Sequence, residues 1–366
     1  MDTDIVLWIV VATALAFDFT NGFHDTANAV ATSISTRAMK PRVAVSLAAT
    51  LNFVGAFLSL EVAATVASGI VEAELVTPAI VFAGLVGAIA WNLATWYFGL
   101  PSSSSHALIG GVVGSAFAAE GADAIIGEGI VEKVAVPALV APVLAMVVAG
   151  IAVLVAYRIV GRENPGVVSR GFRFGQIMSA SLFSLSHGTN DAQKTMGIIF
   201  LALISAGELR PGDDVPVWVI VSAASAIAAG TYAGGWRIIR TMGSRIIKMN
   251  PVQGFAAEGA GSAVILSASH VGFPLSTTHV ISGGIMGAGA AQRVSAVRWG
   301  IAGNIFAAWV LTLPAAATVG AATYGVVRLF GEGATGPVVV TTMLLAALLV
   351  TGIRRMAAGR TLTAER

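Results

Sequence analysis

Uninterrupted apolar runs of twenty or more residues recur from one end of this chain to the other, and they constrain the fold more than any other feature. A helix rises about 1.5 Å per residue, so about twenty residues cross the roughly 30 Å hydrocarbon core of a bilayer. The runs are continuous and rich in Ala, Val, Ile and Leu rather than alternating, which leaves helices as the spanning structure. Only 11% of the residues are charged, against about 25% in soluble domains, so an ordinary globular protein is excluded. The expectation is an all-α polytopic membrane protein. The chain has no cysteine, which removes disulfides and thiolate metal sites. No basic cluster interleaved with aromatics calls for nucleic acid. The opening "MDTD" lacks the basic stretch of a removable signal peptide and runs on into a polar motif.

Spanning helices are expected near 5–35, 43–68, 134–157, 174–206, 215–236, 296–327 and 337–353. Two further apolar stretches, 77–119 and 252–291, are broken by "PSSSSH" (Pro101 to His106) and "PLSTTH" (Pro274 to His279), and each reads as a re-entrant helical hairpin. Lys and Arg collect in cytoplasmic loops. With the N-terminus outside and each hairpin returning to its own side, 17 of the 21 basic residues become cytoplasmic, including Arg354, Arg355, Arg360 and Arg366 in a tail at 354–366. Lys133, Arg210 and Arg328 fall outside and Lys194 lies within a helix. Either hairpin drawn as a full crossing would destroy the bias.

The chain also repeats itself. Gly22 and Asp25 of "NGFHDTANAVAT" (Asn21 to Thr32) recur 166 positions later as Gly188 and Asp191 of "SHGTNDAQKTMG" (Ser186 to Gly197). The hairpins recur at an offset of 173, which pairs Gly99, Pro101, His106, Gly110, Gly111 and Gly114 with Gly272, Pro274, His279, Gly283, Gly284 and Gly287. An odd number of crossings between the copies gives two inverted-topology repeats, 1–157 and 174–353, joined by a cytoplasmic loop at 158–173. Inverted repeats with interrupted helices meeting near the midplane are the architecture of secondary transporters.

Asp18, Asp25, Asp191, Lys194 and Glu258 fall inside membrane segments, where an ionised group costs a few kcal/mol or more and marks function by default. Each hairpin turn puts hydroxyls beside the free amides of a starting half-helix: Ser102, Ser103, Ser104 and Ser105 in one, Ser276, Thr277 and Thr278 in the other. One such turn is ordinary capping, but an inverted pair fits a tetrahedral oxyanion, held without fixed positive charge. Buried carboxylates beside an anion repel it unless a cation is present. Asp25, Asn28, Asn190 and Asp191 are hard oxygen ligands suited to sodium, and a carboxylate can alternatively carry a proton. His24 stands where the second copy has Asn190; an imidazole is a poor ligand for a hard cation and favours a proton, or else it makes a structural hydrogen bond. His106 and His279 brace the turns, whereas His187 and His270 have no counterpart at either offset and carry little weight.

With these motifs in order over about Leu7 to Leu349, the chain resembles the inorganic phosphate transporter family. The resemblance implies symport of phosphate with H+ or Na+ and no further cofactor, a homodimer, and a bacterial-type plasma membrane location with the C-terminus cytoplasmic. It implies an ion and substrate centre at Asp25, Asn28, Asn190 and Asp191, with the hairpin Ser and Thr residues and Gln193 on phosphate. It also makes Glu258 a coupling acid. Asn52 replaces a second glutamate of some relatives, and His24 resembles proton-coupled members, some of which are similar to carriers of neutral metal phosphate complexes. A sulfate permease of this fold and a passive anion channel remain open alternatives. An intramembrane hydrolase built on Ser105 and His106 is disfavoured, because adjacent helical side chains diverge.

Overall fold

The computed structural model describes residues 2–331 and 333–364, and the chain there is almost wholly helical. The helices are α1 (Asp2–Ser35), α2 (Pro41–Gly55), α3 (Glu61–Ser68), α4 (Pro78–Phe98), α5 (Ser104–Glu120), α6 (Gly127–Ile130), α7 (Val136–Val160), α8 (Pro165–Ser205), α9 (Val217–Ala233), α10 (Trp236–Arg240), α11 (Pro251–His270), α12 (Thr277–Gln292), α13 (Trp299–Arg328) and α14 (Thr335–Ala364). Asp4–Ser35, Pro78–Phe98, Gly127–Val160 and Trp299–Arg328 are long and apolar enough to cross a bilayer. The pair Val217–Ala233 and Trp236–Arg245, bent by 58°, adds a fifth if it is one span. Arg366 and the side chains of Arg354, Arg355 and Arg360 lie outside the described residues, so the tail charges are not placed.

Three expected segments differ. The span at 43–68 is two helices, α2 and α3, with a break at 56–60. The side chain of Gln193 explains the restart, because its Oε1 accepts from the amides of Val62 (2.9 Å) and Ala63 (3.2 Å) at the start of α3. The loop at 158–173 shrinks to 161–164, since α8 begins early: Asn164 caps it by accepting from the Gly166 amide at 2.9 Å, and Pro165 fills the first helical position. The span at 215–236 ends at Ala233, where Gly234 adopts a positive φ of 75°.

Close contacts occur twice at matched positions. A Cβ on Gly22 of α1 would lie 2.4 Å from the Ile227 carbonyl oxygen of α9, and one on Gly188 of α8 would lie 2.1 Å from that of Asn52 in α2. The α4–α5 pair packs on α13, with Gly114 against Ala317; the α11–α12 pair packs on α7, with Gly287 against Met146. The backbones approach because these glycines carry no side chain, which is how membrane helices gain contact when lipid is as apolar as leucine. Gly188→Val is therefore expected to abolish the monodisperse gel-filtration peak, costing more than the about 1–3 kcal/mol of ordinary overpacking. Gly171→Val on the same helix meets open space and should elute like wild type.

Candidate functional site

The two hairpin turns are built alike. Gly99 (φ 67°) and Gly272 (φ 75°) end the incoming helices in the left-handed region, where a side chain would be strained. Pro101 and Pro274 follow. Ser103 then caps α5 by accepting from the His106 amide at 3.0 Å, and Ser276 caps α12 by accepting from the His279 amide at 3.3 Å. These two hydroxyls are engaged in capping, while the amides of Ser104 and Ser105 and of Thr277 and Thr278, ahead of the capped ones in the first turn, have no intrahelical acceptor.

The turns touch. Ser105 Oγ donates to the Leu275 carbonyl at 3.1 Å, and the His106 and His279 rings meet edge to face at 4.7 Å. Ser105 and His106 thus face different partners and form no nucleophile–base pair. The central motifs of α1 and α8 lie against the tips in a duplicated pattern. Ser104 donates to Asp25 Oδ1 at 3.2 Å, and its counterpart Thr277 donates to Asp191 Oδ2 at 3.1 Å. Asn28 Nδ2 donates to Thr278 at 2.9 Å and Lys194 Nζ donates to Ser105 at 2.6 Å, each reaching the hairpin of the other half. Asn28 also reaches Thr277 at 3.2 Å, and Thr278 donates to Asp25 at 3.4 Å. Every one of these side chains is buried.

His24 Nδ1 lies 2.7 Å from Asp25 Oδ1, and its Nε2 meets Thr95 Oγ1 at 3.0 Å, beside Ser102 at 3.4 Å. Ser102 in turn donates to Thr95 at 2.9 Å. Asn190 donates to Ser269 at 2.8 Å and to the Phe273 carbonyl at 3.1 Å. The amide oxygens of Asn28 and Asn190 are both buried without a hydrogen-bond partner.

Gln193, expected on phosphate, and Glu258, expected as a coupling acid, both lie away from the tips. Gln193 is committed to the α3 cap and to the Thr189 carbonyl at 2.6 Å, because it projects from α8 towards α3 rather than towards the tips. Glu258 sits in a separate cage, where its carboxylate accepts from Thr32, from Ser33 at 2.8 Å and from Ser179 at 2.6 Å.

Two others are more central than the sequence suggested. Lys194 holds Asp191, Ser105 and, at 2.7 Å, the Leu275 carbonyl, so a fixed ammonium does stand between the tips. Its position 166 after Asn28, three residues past Asp191, was the readable signal. His187 places Nε2 3.0 Å from Asp191 Oδ2, and Asp25, His187 and Asp191 offer ligand atoms within 4.8 Å of one another. No sequence signal marked it. The two carboxylates and the one ammonium together contribute a formal charge of about −1 to this centre.

Residues 21–320 match the model of the Phosphate transporter family. A protein of Mycobacterium bovis named "Probable low-affinity inorganic phosphate transporter" is 58% identical over 327 residues, 89% of this chain and 78% of that relative. One of the same name from Bacillus subtilis is 46% identical over 332 residues, 90% of this chain and 99% of the relative. A solved structure titled "The sodium-dependent phosphate transporter" superposes with a TM-score of 0.80 at 24% identity, covering 88% of this chain and 99% of that one. Apolar spanning helices, the paired motifs and these matches agree: the chain is an integral membrane protein that belongs to the phosphate transporter family.

Proposed function

We propose that the chain is a secondary symporter that carries inorganic phosphate together with a cation, bound between the two hairpin tips and moved by alternating access. The observation that carries this reading is that Ser104, Thr277 and Thr278 donate their hydroxyl hydrogens to Asp25 and Asp191. A hydroxyl has one hydrogen, so it cannot serve a carboxylate and a phosphate oxygen together. A cation on the carboxylates takes over their charge and frees those hydroxyls, with the first-turn amides and Lys194, for the anion. Cation and phosphate therefore bind better together than apart, as symport requires.

Support for inverted repeats comes from the crossing of α1 and α8. Thr36 meets Gln176 at 2.7 Å, Asp25 meets Asp191 at the centre, and Asp18 has Thr195 beside it, so the helices run antiparallel through the site. The basic-residue distribution supports re-entrant hairpins and an outside N-terminus. Sodium would use Asp25 and Asp191 with the unpartnered amide oxygens of Asn28 and Asn190. A proton would use the His24–Asp25 pair: Asp25 accepts from Nδ1, and Thr95, whose own hydrogen goes to the Trp91 carbonyl at 2.9 Å, can only accept from Nε2, so the ring makes both bonds when it carries both hydrogens.

The test is labelled phosphate uptake into proteoliposomes with proton and sodium gradients imposed separately. Concentrative uptake driven by one of them, and not competed by sulfate, is expected. Uptake that follows the phosphate gradient alone would mean a channel, and equal competition by sulfate would mean a general oxyanion permease.

A further inference from the structure

One face of α1 carries Asp18, Asn21, Asp25, Asn28 and Thr32, each three or four positions from the last, and all five are buried. The central site uses this stripe from Asp25 onwards, and its first two residues have no part there. Asp18 lies two turns, about 10.5 Å along the helix axis, from Asp25. Beside it stand Asn21 and, from α8, Thr195. Neither oxygen of Asp18, nor Asn21 Oδ1, nor Thr195 Oγ1 has a hydrogen-bond partner, so four buried oxygens from three side chains are left unpaired together.

Lys194 precedes Thr195 in the chain but gives its ammonium to Asp191, Ser105 and the Leu275 carbonyl, and no cation of the described residues pairs with Asp18. Further along both helices, Val10, Val11, Ala14 and Phe17 of α1 join Ile198 and Ile199 of α8 in one apolar core, which closes over the cluster on that side. An ionised carboxylate in such surroundings needs a partner. A proton on Asp18 would be donated to Asn21 or Thr195 in a hydrogen bond, and neither bond is formed. A cation instead gathers several oxygens around itself with no hydrogen bonds among them.

We propose that Asp18, Asn21 Oδ1 and Thr195 Oγ1 form a second cation site, for one small alkali cation such as sodium, apart from the central one. The set is all oxygen, which suits a hard ion. One carboxylate balances one positive charge, whereas a divalent ion would leave an excess charge among apolar side chains. The site itself does not depend on the symport reading; only its use in transport does.

The experiment is equilibrium binding of radiolabelled Na+ to the full-length protein in nanodiscs, without phosphate or gradients. Asp18→Asn is expected to bind one sodium equivalent fewer than wild type. Thr195→Val, which removes one of the four oxygens, should hold that equivalent at least ~10-fold more weakly and serves if Asp18→Asn does not fold. Asp25→Asn should keep the equivalent, and adding Asp18→Asn to it should remove it. Sodium binding equal to wild type in the folded Asp18→Asn or Thr195→Val protein overturns the site, and so does loss of the Asp18-dependent equivalent in folded Asp25→Asn. Concentrative phosphate uptake without this equivalent would defeat the inference and leave the transport reading standing; the equivalent without concentrative uptake would do the reverse.

Discussion

Lys194→Met is expected to lower phosphate uptake in proteoliposomes at least ~100-fold, a loss of about 2.7 kcal/mol or more in binding terms. Its ammonium bonds Asp191, Ser105 and the Leu275 carbonyl, so one charge holds both tips and an acid of α8 together. Hydrogen bonds to a charged group contribute about 1.5–3 kcal/mol each, and removing one member of a buried ion pair costs about 3–5 kcal/mol. The single variant should therefore also melt earlier. The double variant Lys194→Met with Asp191→Asn removes both charges and should regain much of the melting temperature while still failing to transport. Recovery of uptake in the double variant would show that Lys194 only balances Asp191 and does not serve the anion.

A change of comparable size is expected for Asp25→Asn, by a different route. The new amide keeps an oxygen that accepts from Ser104 and Thr278, so the folded state loses little and the melting temperature should stay within a few degrees. What disappears is the negative charge. Without it a cation has less reason to enter, and gradient-driven uptake should fall at least ~100-fold, again about 2.7 kcal/mol. The check is paired: uptake under an imposed cation gradient, and thermal melting of the same preparation. Unchanged uptake with unchanged melting would remove Asp25 from the coupling centre.

The parts of this architecture that were readable in advance are those whose causes are local. The α4–α5 and α11–α12 pairs begin and end within a residue or two of where Gly99, Pro101 and Ser103, and Gly272, Pro274 and Ser276, put them, because glycine, proline and a capping hydroxyl act on their own backbone. The early start of α8 had a local signal too, Asn164 before Pro165, but Arg170 and Arg173 made that stretch look like a loop. Other features depend on partners more than a hundred residues away. The break before α3 is stabilised by Gln193 from α8, and that same bond takes Gln193 away from the tips. The orientation of His187 is set through Asn52 of α2 and Thr231 of α9, neither of which any spacing connects to it. Lys194 was visible as a buried charge, but its partner is the acid three residues earlier on its own helix, together with both hairpins. A sequence shows which polar groups are forced into the membrane; only packing shows which of them share a proton, an ion or a carbonyl.

The account depends on the hydroxyls of the two tips changing partner when a cation arrives. The most direct measurement is equilibrium binding of labelled phosphate to the purified protein, in sodium and in choline, at neutral and at acidic pH, beside the Ser104→Ala, Thr277→Val double variant. The account predicts that sodium or acid tightens phosphate binding at least ~10-fold, about 1.4 kcal/mol of coupling, and that the double variant loses both the affinity and its cation dependence. Phosphate binding that is equally tight under all four conditions, or that survives intact in the double variant, would contradict it.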